Sequence, residues 1–273
     1  MKHVKKRYFA KSFASLDAFA GYLDEAPVTD LFRGREASIK GTKKFTTTET
    51  LEEASSLLRF GDVKNARRLV AGVAVPGSNV AESIRARRVR CIAGSSVNVP
   101  AALAGRPKSM YKIVRCRVPA KVLNLAYNQN IDYTIPASEI VAVAVRLANV
   151  VLSLEKAGYQ VNLYSAVCVY KGAEAVGCFV RVKSAGQYLD VTRLAYCLVN
   201  PSFLRRSVFR FIETLPGLTE DGWPGSYGCV SISEEDVASL ARAAGLGAAS
   251  RVLSFYDVRR LDEAGIAAAV LAV

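Results

Sequence analysis

The segment from Lys121 to Lys183 restricts the possible folds more than any other part of the chain. It begins with "KVLNLAY", an apolar run of strand length, followed by the polar stretch "NQNIDYTIP". Ser138 then opens a long helical pattern that closes at Gly158, and "YQVNLYSAVCVY" follows at once with β-branched and aromatic residues. "GCFVRVK" comes after a short loop. Two strands joined through a helix need a right-handed crossover, so they pair parallel. The segment therefore predicts an α/β fold with a Rossmann-like, mostly parallel sheet as its core. Ligands of such sheets bind beyond the carboxyl ends of the strands. That rule marks the loop after the first strand, where Asn128, Asn130 and Asp132 offer oxygen atoms, as a candidate site.

Upstream the pattern changes. Residues 1–110 read as a basic, mainly helical region and residues 111–273 as the α/β core domain. Phe13, Leu16, Phe19 and Leu23 recur at helical spacing, with Ser15 as N-cap. A loop rich in Gly, Lys and Arg, "RGREASIKGTKKFT", precedes a helix that Thr50-Leu-Glu-Glu53 opens with a capping box. Gly61 ends that helix and Asp62 caps the next. "AESIRARRVRCIAG" fits a basic helix or a strand, and periodicity does not separate the two. "YKIVRCRV" alternates like a strand. Near the C-terminus "YGCVSIS" and "RVLSFYDV" read as strands, the second at an edge, and Ser233 caps the helix between them. In "NPSFLRRSVFRFIE", Asn200 is an N-cap and Pro201 the first helical residue. Leu204, Val208, Phe211, Ile212 and Leu215 then line one face, and Arg205, Arg206, Arg210 and Glu213 the solvated other.

With 51% hydrophobic and 22% charged residues, the 273-residue chain can bury a large core. Its longest apolar stretch, "IVAVAVRLANVVLSLEKAG", carries Arg146, Asn149 and Glu155 and reads as a buried helix, not a membrane span. The basic start has no continuous apolar segment behind it, so export is not expected. Six cysteines are scattered without a C-x-x-C, as in a reduced, intracellular protein. The net charge of +13 is unevenly spread. Residues 1–121 hold 24 Lys and Arg against 10 Asp and Glu, a balance of +14, whereas the rest hold 13 against 14. A localised excess of this kind points to a contact surface for a polyanion.

Four pieces in order carry a resemblance: "GTKKFTTTETLEEASSLLRFGDVKNARRL", "VNVPAALAGRPKSM", the crossover with "LSLEKAGYQVNLY", and "LDVTRLAYCLVNPSFLRRSVFRFIE". Together they cover most of residues 12–213, and the chain resembles an uncharacterised family of proteins from tailed-phage genomes. The resemblance implies a phage or prophage origin, in the host cytoplasm or the virion, and brings no activity with it. The crossover is also similar in layout to von Willebrand A-like domains, whose first strand leads into a metal-binding D-x-S-x-S loop. Here that loop reads "NLAYNQNIDYT" and departs from the pattern, with Asp132 as its one carboxylate.

His3 is the only histidine, which argues against a Ser-His-Asp triad, a Cys-His pair and His-based zinc sites. No phosphate-binding G-x-x-x-x-G-K-[ST] loop is present, and no cofactor is expected. Asp132, Asp190, Glu213 and Asp221 are the acids that a metal-dependent hydrolase would use, but none sits in a motif, and Asp190 fits the N-cap of "VTRLAYCL". Basic clusters are the stronger signal. Lys5, Lys6, Arg7 and Tyr8 lie in "KHVKKRYFAK", Lys43 and Lys44 in "GTKKF", and Arg85, Arg87, Arg88 and Arg90 in "RARRVRC". Cations neutralise phosphates while an aromatic stacks on an unpaired base. The leading expectation is a non-enzymatic protein that contacts nucleic acid, DNA or RNA, without sequence preference. An alternative is a module that assembles with phage or host proteins through the edge around Asn128–Pro136. A third is a hydrolase pairing Asp132 with Asp190 or Asp221.

Overall fold

Local sequence signals place most elements of the computed structural model. The structure describes residues 6–73, 84–117, 121–132, 134–219, 223, 227, 232–247 and 250–272, with the backbone alone at 84–87 and 115–117. β1 (Arg7–Phe13) leads into α1 (Leu16–Glu25), where Ser15 Oγ accepts from the Ala18 N–H at 3.0 Å. Two single turns, α2 (Ala37–Lys40) and α3 (Lys43–Thr46), interrupt the basic loop. α4 (Leu51–Phe60) is capped by Thr50, which accepts from the Glu53 N–H, while the Glu53 carboxylate accepts from Glu49 and does not close a capping box. At Gly61 φ is +84° and an added Cβ would come within 2.5 Å of Thr192, so only glycine lets the chain turn here. Asp62 then caps α5 (Val63–Val70).

A small antiparallel unit follows: β2 (Ile84–Cys91), β3 (Ser96–Val97), α6 (Val99–Leu103) and β4 (Met110–Arg117). Next come β5 (Lys121–Asn128), α7 (Ala137–Lys156), β6 (Tyr159–Lys171), β7 (Glu174–Lys183) and α8 (Val191–Val199). A π-helical stretch, Phe203–Val208, runs into α9 (Phe209–Glu213). The chain ends with α10 (Glu234–Ala243), β8 (Ser250–Ser254), α11 (Phe255–Arg260) and α12 (Glu263–Leu271). The strand expected at "YGCVSIS" falls largely outside the described residues.

The main sheet has the order β1-β7-β6-β5-β8. β5 pairs parallel with β6 and β8, and β1 parallel with β7. β6 and β7 meet antiparallel, because the two-residue turn Gly172-Ala173 is too short for a crossover. The fold is thus mixed α/β with a mostly parallel sheet, two parallel blocks joined along one antiparallel seam. The β5–α7–β6 crossover is the one anticipated from the sequence, and β8 is the expected edge strand.

Both faces of this sheet are covered, which accounts for its near-continuous apolar strands. α7 is long and apolar enough to cross a membrane by length and composition. Here it buries Val143, Leu147, Val150, Val151 and Leu154 in a core shared with β5, β6, α8 and α12. Arg146 on its edge donates through Nη1 to the carbonyls of Val258, Arg259 and Leu261 at 2.9–3.0 Å, where α11 runs out of its own donors. On the opposite face Ala126, Ala166 and Ala175 keep the surface flat, and α10 lies against it through Val237 and Leu240.

The boundary expected after residue 110 does not separate two packing units. β1 is an edge strand of the main sheet, and Phe13, Phe19 and Tyr22 meet Phe211 with ring centroids 5.9, 6.5 and 6.1 Å apart. β4 also crosses the boundary to pair with β2 along its whole length. The first half carries the helices α1 and α2 to α5 expected of it, and adds the strands β1, β2 and β3.

Asn200 ends α8, and its Oδ1 accepts from the Ser202 N–H at 2.9 Å, the capping contact expected of it. The solvated face expected for the following helix is corrected at two positions. Arg206 and Glu213, seven residues apart, are both fully buried. Arg206 Nε donates to Thr48 Oγ1 at 2.8 Å, and Nη1 to the Ser38 and Ile39 carbonyls at 2.7 and 3.3 Å. Its Nη2 donates to the carbonyls of Gly41, Thr48 and Glu49 at 2.9, 2.9 and 2.7 Å. Glu213 holds the same loop from a second point, accepting from the Ser38 N–H at 2.9 Å and Ser38 Oγ at 2.5 Å. The basic loop is therefore pinned to the helix. Its irregular backbone leaves carbonyls without regular partners, and a guanidinium supplies five donors in one rigid fork.

Arg206→Lys keeps the charge but loses that fork. It is expected to lower unfolding stability by about 2–4 kcal/mol, because buried carbonyls are left unmatched. Urea denaturation of both proteins measures this. An unchanged midpoint would mean that the loop is held by something else.

Candidate polyanion-binding ribbon

Residues 84–117 contain Arg85, Arg87, Arg88, Arg90, Arg106, Lys108, Lys112, Arg115 and Arg117, and no acid. The structure folds this stretch into its own three-stranded sheet, ordered β2-β4-β3. β2 and β4 pair residue for residue from Ile84↔Arg117 to Cys91↔Met110. The ambiguity between helix and strand for "RARRVRC" is resolved as strand, and β-branched Val89, Ile113 and Val114 suit that choice. The turn after β2 depends on Gly94: an added Cβ would lie 2.2 Å from the Tyr111 carbonyl, which accepts from the Ser95 N–H at 2.8 Å. Asn98 caps α6 through the Ala101 N–H and donates through Nδ2 to Tyr111 Oη at 2.8 Å. Among the described residues, the strands of this unit make their main contacts with one another.

The charged side chains described here are Arg88, Arg90, Arg106, Lys108 and Lys112, and all five are exposed. Among the described residues none of them forms an ion pair. Arg88 lies over the Tyr111 ring, 5.0 Å from its centroid, and donates to Ser96 Oγ at 3.1 Å. Arg85 and Arg87 have strand positions out of phase with Arg88 and Arg90, and their side chains lie outside the described residues. Lys112 lies in "YKIVRCRV", which the sequence pattern assigns to the core domain, whereas Arg106 and Lys108 lie in the connection before it and belong to no cluster. The available signal was an acid-free run spanning two alternating segments.

The other basic clusters have different surroundings. Lys6 Nζ sits 2.6 Å from Asp236, and Tyr8 Oη donates to the same carboxylate at 2.9 Å. Burial opposes ionisation of Asp236, but hydrogen bonds from Lys6, Ser233 and Tyr8 outweigh it and hold the carboxyl below its ordinary value. Arg7 pairs with Glu174, a buried carboxylate that also accepts from Trp223 Nε1 at 3.0 Å. The free basic patch expected at the N-terminus is corrected at these three residues: they fasten β1 to α10 and β7. Lys5 and His3 lie outside the described residues. Lys43 pairs with Glu49 at 2.5 Å, and neighbouring Lys44 is exposed.

The loop after β5 is built inward. Asn128 and Asn130 are buried, and they clasp one residue of the longer neighbouring strand. Asn128 Oδ1 accepts from the Cys168 N–H at 3.1 Å, and Asn130 Nδ2 donates to the Cys168 carbonyl. β6 continues past the end of β5, so these amides stand in for the missing strand backbone. Asp132 closes an exposed turn by accepting from the Thr134 N–H at 2.8 Å, a contact that lowers its carboxyl pKa. Asp190 caps α8 through the Thr192 and Arg193 N–H groups, at 3.0 and 3.2 Å. Asp221 lies outside the described residues. Among the described residues no three metal-ligating side chains gather. Cys168, Cys178 and Cys197 are buried, and desolvation pushes each thiol up, away from the nucleophilic thiolate.

These features define a mixed α/β protein, a mostly parallel five-stranded sheet with a separate acid-free antiparallel ribbon. A family model described as "Domain of unknown function (DUF7192)" matches residues 2–245, and the chain belongs to that family. No curated protein and no solved structure matches the chain.

Glu213 gives a pH test of the buried loop anchor. Desolvation raises its pKa above the ordinary 4.5, against the hydrogen bonds from Ser38 and Tyr227. A carboxyl with a raised folded-state pKa contributes most below the unfolded value and loses that contribution as pH rises through the folded one. Urea unfolding of the natural protein and Glu213→Gln across pH 4 to 8 is therefore expected to show the natural protein losing relative stability upward from about pH 4.5. A pH-independent difference would contradict this.

Proposed function

We propose that this is a non-enzymatic, phage-encoded protein that contacts nucleic acid without sequence preference, and that the β2–β4 ribbon is its contact surface. The observation that carries this reading is the ribbon's unbalanced charge. Its described cations are exposed and unpaired among the described residues, within a stretch that has no acid. The N-terminal cations, by contrast, are engaged with Asp236 and Glu174 and are left out of the interface. Phosphates supply the complementary charge, and neutralising them releases counterions, which makes binding favourable at low salt.

The phage origin rests on the resemblance carried by segments such as "LDVTRLAYCLVNPSFLRRSVFRFIE", and it places the protein in the host cytoplasm or the virion. A Rossmann-like or von Willebrand A-like reading of the sheet is supported by the β5–α7–β6 crossover; the antiparallel β7 has to be accommodated as a variation. Assembly through the Asn128–Pro136 edge gains less support, because Asn128 and Asn130 are committed to Cys168. A hydrolase pairing Asp132 with Asp190 gains least, since each of these acids closes its own turn.

Fluorescence anisotropy with labelled DNA across a salt series tests the proposal. Binding is expected to weaken linearly in log–log terms, and Arg88→Ala/Arg90→Ala/Lys112→Ala to reduce the slope by about 2–3. Lys6→Ala should leave the slope unchanged. No binding at low ionic strength, or a triple variant with the natural slope, would overturn it.

A further inference from the structure

We infer that the nucleic acid taken by the ribbon is B-form duplex DNA, entered through its major groove; this rests on the proposed polyanion contact and adds its ligand class. Three features of the ribbon support the choice. First, its shape fits. β2 and β4 are each eight residues long, and at about 3.4 Å per residue they reach about 27 Å. Beyond the short β3 contact at Met110 and Tyr111, the ribbon is two strands wide among the described residues. A two-stranded antiparallel ribbon is one of the shapes the B-form major groove admits.

Second, its charge is presented on both faces. Side chains alternate along a strand, so Arg88 and Arg90 share one face of β2. Lys112 is paired with Val89 and therefore occupies the other face. A ribbon lying on a flat surface could use one set only. A ribbon seated in a groove has a phosphate wall on each side, and each set faces one. Ile113, opposite Arg88 and 67% exposed, shares the face of Arg88 and Arg90 and leaves apolar surface between those cations.

Third, the features that single strands require are missing. Unpaired bases are held by stacking on aromatic rings. Tyr111 is the one aromatic residue between positions 84 and 117. Its ring is already covered by Arg88 and its hydroxyl is bonded to Asn98. Duplex RNA is disfavoured for a different reason, since its A-form major groove is deep and too narrow for a ribbon.

The test uses the full chain and three probes of one sequence: duplex DNA, single-stranded DNA and duplex RNA, at the same low salt. Duplex DNA is expected to bind at least roughly tenfold tighter than either other probe. Methyl green, which occupies the major groove, should displace the protein, and netropsin in the minor groove should not. Arg88→Ala and Lys112→Ala, on opposite faces, should each lower the salt slope by about one. Equal affinity for all three probes, or displacement by netropsin alone, would overturn the groove assignment while leaving the polyanion contact standing. No binding to any probe would overturn both.

Discussion

A buried positive charge holds this fold together. Arg206 is fully buried, and a bare guanidinium in such a place would be strongly unfavourable. It is tolerated because its donors meet Thr48 Oγ1 and five backbone carbonyls of the segment from Ser38 to Glu49. The dependence runs both ways. The carbonyls are satisfied by the arginine, and the arginine by the carbonyls, so neither half is stable in that place alone. Glu213 takes the N–H and hydroxyl of Ser38 while Arg206 takes its carbonyl, which ties one loop residue to two points of the same helix. Through that helix the N-terminal aromatics Phe13, Phe19 and Tyr22 join the core around Phe211.

The same use of polar groups recurs elsewhere. Asn128 and Asn130 satisfy the backbone of Cys168 where β5 stops short of β6. Arg146 collects the carbonyls at the end of α11. Lys6, Arg7 and Tyr8 attach an edge strand to buried carboxylates. In each of these places a polar or charged side chain is occupied in holding the fold. The ribbon is different: its exposed cations lie in an acid-free stretch, residues 84–117, and none of those described forms an ion pair among the described residues.

Much of the secondary structure was legible because its causes are local. Ser15, Thr50, Asp62, Asp190 and Ser233 cap helices where their side chains reach an N–H two or three residues on. Gly158 ends α7, and the crossover from β5 to β6 follows from the order of elements. The candidate site was legible only in part. "RARRVRC" stood out as basic, but its partner strand lay across an assumed domain boundary, so Lys112 was not joined to it. The N-terminal cluster looked equivalent in sequence, because the acids that engage it come from 167 and 230 positions away.

The sequence by itself determined the α/β class, the capped helices, the parallel crossover and the concentration of positive charge before residue 122. These depend on spacing, side-chain type and composition, which neighbouring residues express directly. Only the tertiary structure decided which of those charges remain available. A lysine or arginine is a surface cation until a distant carboxylate or a set of loop carbonyls comes within hydrogen-bonding distance, and that meeting is fixed by how the chain closes in space.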